Sequence, residues 1–371
     1  MTSHHPVNIF MLGATGYVGG SFLSTLLASP EPPHKITALI RSNDKLKIFE
    51  NLSEHKTNCI GVQGSYEDHH LLEDLSAEHP VVISAADADD VGMIKAVLKG
   101  MKKRHENTGK VGVLIHVSGT GTIIDDARGE YEGKDIYTDL PEPSSAHPDT
   151  KTIQSLPDDA FHRPVDLLVE EADKEGYCRT YIILPGTIWG DPDNMVAFEK
   201  GLSNPHSQQI PGAAAFGIDR GQAGVTGKGL NRWVHVHILE VASLFEKLYP
   251  LALADKAPHG APTNSGYYFA TSGEYSIGEA MKLIGEEMFK QGWASTAEVK
   301  PFSVEELEKR YGKDGWRYPG SNSRCFAENS EKILGWKGVR GVGEKSGEWD
   351  EYVRSETRRK GQEAKEKKSQ Q

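Results

Sequence analysis

The sequence predicts an α/β protein: a doubly wound parallel sheet followed by a smaller C-terminal α/β lobe. Two observations carry that expectation. Short runs rich in Val and Ile alternate with helix-length amphipathic segments through the first half, and a glycine-rich turn joins the first run to the first helix.

The runs are Asn8–Leu12, Ile36–Ile40, Cys59–Val62, Val81–Ala86, Val111–Val117 and Thr180–Leu184. They alternate poorly between apolar and polar residues, as strands buried on both faces do. Helices are expected between them at Val18–Ala28, Asp68–Ala77, Val91–Arg104 and Val165–Glu175. Gly121–Phe161 breaks the rhythm. It is rich in Asp, Pro, Ser and Gly and leaves the sheet on its carboxyl side, so it reads as a long insertion that closes over the site as a lid. From Gly186 to Arg232 the pattern turns irregular. Helices return at Leu239–Leu248, Ser276–Lys290 and Val304–Arg310, with a strand at Tyr267–Ala270. The expected division is a nucleotide-binding domain at 1–190, with its insertion at 121–161, and a lobe at 191–345 that returns segments to the sheet.

The chain has 371 residues, a net charge of -11, and 37% hydrophobic and 26% charged residues. That composition suits a soluble globular protein, and the acidic balance argues against a nucleic-acid partner. Three cysteines far apart in sequence give neither a disulfide framework nor a metal site. No stretch approaches the roughly 18 apolar residues that span a bilayer, and Met1–Pro6 lacks the character of a signal peptide. A cytoplasmic setting is therefore expected, without membrane contact. The charged segment 354–371 has no apolar residue after Val353 and is expected to be a solvated, flexible tail.

The strand Asn8–Leu12 runs into Gly13-Ala14-Thr15-Gly16-Tyr17-Val18-Gly19. In this setting Gly13 permits a tight turn, Gly16 admits a pyrophosphate, and Gly19 packs the helix on the strand. Backbone N–H groups at the helix start then hold phosphates. This is the dinucleotide-binding half of a Rossmann fold. The second strand ends in Arg41-Ser42, with Lys45 beyond, where an NAD site usually has an acid. A guanidinium there suits the 2′-phosphate of NADP. Asp44 keeps NAD open.

With these residues the chain resembles the extended short-chain dehydrogenase/reductase superfamily, including epimerase/dehydratase-like and NmrA-like proteins. The resemblance spans about residues 7–340. It rests on Gly13–Gly19, Ile83-Ser84-Ala85-Ala86, Ser118, Leu184-Pro185-Gly186-Thr187-Ile188-Trp189-Gly190, the segment Trp233–Ala242 with His237 and Glu240, and Leu334-Gly335-Trp336. It implies that Thr15, Tyr17 and Val18 line the cofactor turn, that Ala85 and Ala86 pass beneath the ribose, and that Pro185, Thr187 and Ile188 face the nicotinamide. The family's catalytic Tyr-x-x-x-Lys is absent. His162 and Asp166 stand in the matching frame, and the family's Ser position falls near Ser118, Gly119 and Thr120.

Two functions follow. One is an NADP-dependent oxidoreductase or epimerase-like enzyme acting on a carbonyl or hydroxyl of a small metabolite. His162, Asp166, Ser118 and Thr120 are its candidate catalytic residues, and Tyr131 and Tyr137 could fold over the site. An imidazole titrates at about 6.5 in water, and a carboxylate four residues on would orient it. The other is a non-catalytic NAD(P) sensor of NmrA-like type. Expected partners are a small-molecule substrate and, as an open alternative to a monomer, a second copy of the chain.

Overall fold

The computed structural model describes residues 7–31, 33, 35–52, 57–260, 265–341 and 347–369. Met1–Pro6 and the last two residues, on which two of the expectations above partly rest, lie outside the described residues.

Seven parallel strands form the central sheet: β1 (Asn8–Leu12), β2 (Lys35–Ile40), β3 (Asn58–Gln63), β4 (Val81–Ser84), β5 (Gly112–Val117), β6 (Cys178–Pro185) and β7 (Tyr267–Ala270). Their spatial order is β7-β6-β5-β4-β1-β2-β3. The order reverses at β1, between its neighbours β4 and β2, and such switch points are where open α/β sheets bind ligands. β7 comes from the C-terminal half and completes the sheet beside β6.

Ten helices of eight or more residues are described. They are α1 (Tyr17–Ala28), α2 (Asn43–Glu50), α3 (His69–Glu78), α4 (Val91–Thr108), α5 (Arg163–Lys174), α6 (Gln209–Arg220), α7 (Ile238–Leu253), α8 (Ile277–Lys290), α9 (Val304–Tyr311) and α10 (Glu348–Ser369). Within β1 the side chains divide by parity. Ile9 and Met11 enter one apolar layer with Phe22 of α1 and Phe245 of α7. Phe10 and Leu12 enter the other with Leu72, Val97 and Val169 of α3, α4 and α5. Two-sided burial explains why these strands lack polar alternation. The Phe22 and Phe245 rings stack at 4.1 Å, which joins the first helix to one that begins more than two hundred residues later.

The lobe has its own core of Trp189, Ile210, Tyr275, Ile284, Trp349 and Tyr352. It is built on a three-stranded sheet in which Arg232–His237 lies between Thr187–Trp189 and Gly273–Ser276. The region expected to be irregular contains α6, despite Pro211, Gly212 and Gly217. Pro211 falls in the first turn, where its missing N–H would have no partner anyway.

Two expectations are corrected. The segment 354–371 is not a frayed tail where it is described: it continues α10. Val353, Glu356 and Thr357 are buried. Arg354 pairs with Glu286 at 2.7 Å and Arg358 with the fully buried Glu287 at 3.3 Å. A Cβ on Gly361 would stand 2.1 Å from the Trp293 ring, so that indole lies directly on the helix backbone. Polar residues order this helix because α6 and α8 supply the apolar and charged partners. The insertion 121–161 is likewise tied down rather than free to swing. Tyr137–Thr138 pairs with Lys151–Thr152 and Cys325–Phe326. Asp125 accepts from both the backbone N and the side-chain amide of Asn322 at 2.8 and 2.9 Å. Buried Asp139 accepts the backbone N–H groups of Phe269 and Asn329 at 2.9 and 2.7 Å. Its residues Asp125 and Asp139 thus form tertiary hydrogen bonds. No helix among the described residues is long and apolar enough to cross a membrane.

Candidate functional site

The glycine turn sits where the sheet order reverses. Gly13 has φ +82°, and a Cβ on it would meet the carbonyl oxygen of Ala85 at 2.1 Å. A Cβ on Gly19 would stand 2.0 Å from the Gly13 oxygen. Both positions exclude every side chain, because backbone passes on the other side. Gly16 caps α1 without any side-chain acceptor, and no acid lies in the first turn. The helix start therefore offers its N–H groups and the positive end of its dipole to an anion. Thr15 and Val18 are half-buried on the turn, and Tyr17 donates its hydroxyl proton to Gly190 O. Two further bonds come from beyond β6: Ser203 Oγ donates to Ala14 O at 2.8 Å, and Asn204 N to Thr15 O at 3.0 Å.

Arg41 is exposed at the end of β2, its guanidinium 5.9 Å from the Tyr66 ring centre. Ser42 caps α2, accepting from Lys45 N at 3.5 Å. Ala85 follows β4 and bonds through its N–H to Leu12 O at 3.1 Å, which fixes the β4 end beside the turn. Ala86 is half-buried next to it. Pro185 pairs with Ala270. Thr187 is buried and exchanges hydrogen bonds with Gln209 at 2.7 Å and Tyr275 at 2.9 Å. Its neighbour Ile188 is half-buried. The uncapped helix start and the closed glycine cradle fit a dinucleotide phosphate, held by the backbone of residues 13–19.

At the same carboxyl edge of the sheet, across β4 from the turn, the end of β5 and the start of α5 bring together a polar group. Ser118 Oγ donates to Asp166 Oδ2 at 3.1 Å. Asp166 is fully buried, and burial pushes its carboxyl up to about 7. His162 occupies the cap position of α5 with φ +68°, a left-handed conformation that costs a β-carbon-bearing residue on the order of 1–3 kcal/mol. Its Nδ1 lies 2.9 Å from Asp89 Oδ1. A Cβ on Gly121 would stand 3.0 Å from His162 Nε2, so this glycine makes room for the imidazole. Thr120 is buried with its hydroxyl unpartnered among the described residues, while its carbonyl accepts from Ser323 at 2.7 Å.

The expected contact between the His162 and Asp166 side chains is thus replaced by two others. The left-handed cap turns the imidazole toward Asp89, and Asp166 turns inward to Ser118. Tyr131 directs its hydroxyl to Asp126 O, and Tyr137 lies in a short strand; neither hydrogen-bonds to this group. Asp89 and His116 escaped the sequence reading. Asp89 had a signal, standing in an Asp-rich stretch just past β4 on the carboxyl side. His116 looked like one polar residue in an apolar strand. The segment with His237 and Glu240 has a structural task. His237 caps α7 through Leu239 N at 3.2 Å, and Glu240 accepts from Val339 N and Arg340 N at 2.6 and 2.9 Å.

Residues 13–137 match the sequence family described as NAD(P)H-binding. Solved structures extend the likeness over nearly the whole chain. A UDP-glucose-4-epimerase of Stenotrophomonas maltophila with bound NAD superposes with a TM-score of 0.58 at 14% identity, covering 95% of this chain and 99% of that one. The fold is that of the NAD-binding epimerases and dehydratases. A dTDP-glucose 4,6-dehydratase of Bacillus anthracis in complex with NAD gives 0.56 at 14% identity, over 95% and 96% of the two chains. Among curated proteins, an oxidase of Acremonium sp, ucsJ, is 28% identical over 347 residues, 89% of this chain and 92% of that protein. The chain thus carries an NAD(P)-binding domain within an epimerase and dehydratase fold.

Proposed function

We propose that the protein is an NADP-dependent oxidoreductase or epimerase-like enzyme. It acts on a carbonyl or hydroxyl of a small metabolite, with a proton-transfer site that replaces Tyr-x-x-x-Lys. The observation that carries this reading is the convergence of two carboxylate-supported donors, His162–Asp89 and Ser118–Asp166, beside an intact phosphate turn. The enzyme names of its relatives support it, as does Arg41 at the end of β2 for the preference for NADP. The same reading takes the setting to be cytoplasmic.

A bound nicotinamide supplies or accepts the hydride. The chain's own task is to bind the reacting oxygen and manage its proton. Asp89 orients the imidazole through Nδ1, which leaves Nε2 to donate a hydrogen bond to the substrate oxygen. The Ser118 hydroxyl has one proton, given to Asp166 in this structure; with substrate bound it turns to the same oxygen, and the protonated Asp166 carboxyl donates to Ser118 Oγ in its place. Residues 13–19 hold the phosphates through backbone N–H groups.

The test is consumption of NADPH over a panel of aldehydes and ketones, followed by His162→Ala. Turnover lowered at least about tenfold with cofactor binding retained supports the reading. Tight cofactor binding without turnover on any member of the panel would favour the nucleotide sensor.

A further inference from the structure

Behind Ser118 lies a polar group that the proposed chemistry does not yet use. His116 points from β5 into the interior and is 1% exposed. Neither of its ring nitrogens has a hydrogen-bond partner among the described residues. Its Nε2 lies 3.8 Å from Asp166 Oδ1, the one oxygen of that carboxyl without a partner. In register beside His116, on β4, is Ser84, also buried with its hydroxyl unpartnered. Unsatisfied buried polar atoms are uncommon and each is costly. Four residues with such atoms or contacts, Ser84, His116, Asp166 and Ser118, fall together behind the candidate site.

We propose that Asp166 is a buried proton store that feeds the site through Ser118, and that His116 is the positioning residue that stabilises the carboxylate left behind. The inference rests on the functional reading above and names where its proton comes from. When negative charge develops on a substrate oxygen, the Ser118 hydroxyl proton moves to that oxygen. With the Ser118 hydroxyl turned to the substrate, the protonated Asp166 carboxyl donates to Ser118 Oγ, and its proton moves there across the same 3.1 Å contact, now reversed in sense. The sum is one proton lost by Asp166 and one gained by substrate, with Ser118 unchanged. His116, neutral with its proton on Nε2, then closes from 3.8 Å to donate a hydrogen bond to the new carboxylate. Solvent returns a proton to Asp166 after product leaves. In the reverse direction each transfer runs backwards.

The charges around the pair agree with this assignment. Burial favours the neutral forms, raising the Asp166 carboxyl to about 7 and lowering the His116 imidazole to about 3. His162 and Arg163 face Asp166 with charge that favours its carboxylate, and Glu170 opposes them. Tyr267 also faces this group from β7, and it shares Glu170 with Arg163. Asp89 and His162 act on His116 in opposite senses. A carboxyl held near neutrality can both keep and release its proton at working pH. A buried carboxylate with ordinary acidity could not.

The experiment uses the full chain without cofactor, so it is independent of turnover. Infrared difference spectra follow the carboxylic-acid C=O band of Asp166 from pH 4 to 9, with Asp166→Asn to assign it. The expected result is a protonated Asp166 well above pH 5 and a titration displaced upward by at least about one pH unit in His116→Phe. Ser118→Ala, which removes the other bond to the carboxylate, should displace it in the same direction. This second variant decides the matter if His116→Phe does not fold. Titration near pH 4 in the unmodified protein overturns the proposal, as does a titration that neither variant moves. With a substrate in hand, His116→Phe should move the pH profile of kcat by the same displacement, which lost packing alone would not do. A protein with the displaced titration and no turnover retains the Asp166–His116 pair and loses the functional reading. Turnover with an ordinary Asp166 does the reverse.

Discussion

The glycine turn and the proposed proton-transfer group lie at the same carboxyl edge of the sheet, on either side of β4, yet the chain specifies them by different means. The turn works through backbone. The N–H groups at the start of α1 would face a phosphate, and Gly13 and Gly19 are fixed by carbonyls about 2 Å from where a side chain would begin. The proposed proton-transfer group would work through side chains, and another donor with similar reach could do the same work. His162 and Asp166 stand where the resemblance implies Tyr and Lys, while the turn keeps its expected glycines. A site read by backbone shape resists substitution; one read by side-chain chemistry can be rebuilt on the same scaffold.

The largest effect should come from breaking the first region. Gly19→Ala places a methyl group against the Gly13 carbonyl. Cofactor affinity should fall by at least about 4 kcal/mol, roughly a thousandfold, in a fluorescence titration. Retained affinity would show that the turn has slack and that the contrast is false. The lobe offers an intermediate case, since it depends on packing rather than backbone approach. Trp349 is 2% exposed within the lobe core. Trp349→Ala should cost about 3–4 kcal/mol in denaturant unfolding. A loss within about 0.5 kcal/mol would return α10 to the status of a solvated tail.

Asp166→Asn probes the second region through stability. The carboxyl is raised to about 7 by burial, so the stability its protonated form contributes is full below about pH 4 and is lost as pH rises through 7. Asparagine keeps an acceptor for Ser118 and carries no charge. The variant should match the parent at pH 4, gain on it between pH 4 and 7, and stay about 4 kcal/mol more stable above that. Parallel curves would remove the buried acid from the account. The smallest effect sharpens the comparison, because Arg41 is the point where the nucleotide half relies on a side chain. Arg41→Ala should weaken NADPH by about 1.5 kcal/mol, roughly tenfold, and leave NADH unchanged. Equal loss for both cofactors would assign Arg41 no part in choosing between them.

These differences also explain what was legible in the sequence. Strands buried on both faces announce themselves as Val- and Ile-rich runs, and all seven sheet strands were found within a few residues of their ends. The turn was legible because its glycines have no substitute. The helix α10 was not, because its partners are remote: Gly361 reads as a helix breaker until the Trp293 ring lies on it. Asp89 and His116 were missed for a similar reason. A carboxylate 73 positions before His162 becomes its partner only when β4 and α5 meet. The position of Asp166 could be read from the spacing, but its direction was set by the left-handed cap at His162, a conformation no local pattern announced.

Residues 190–204 leave the sheet, reach Gly190 and Asn204, and at both places fasten onto the glycine turn, through Tyr17, Ala14 and Thr15. The Ala14 and Thr15 carbonyls of that turn are thereby held by the C-terminal half of the chain, while the N–H groups at the start of α1 are the ones proposed to meet phosphate. The grip on the nucleotide is consequently not a local property of the first thirty residues. A strain applied to the far half is carried through two hydrogen bonds, at Ala14 O and Thr15 O, into the peptide planes of the turn, and through a third into the Tyr17 side chain. Engineering that exchanges one half for another has to carry this fastening across the graft.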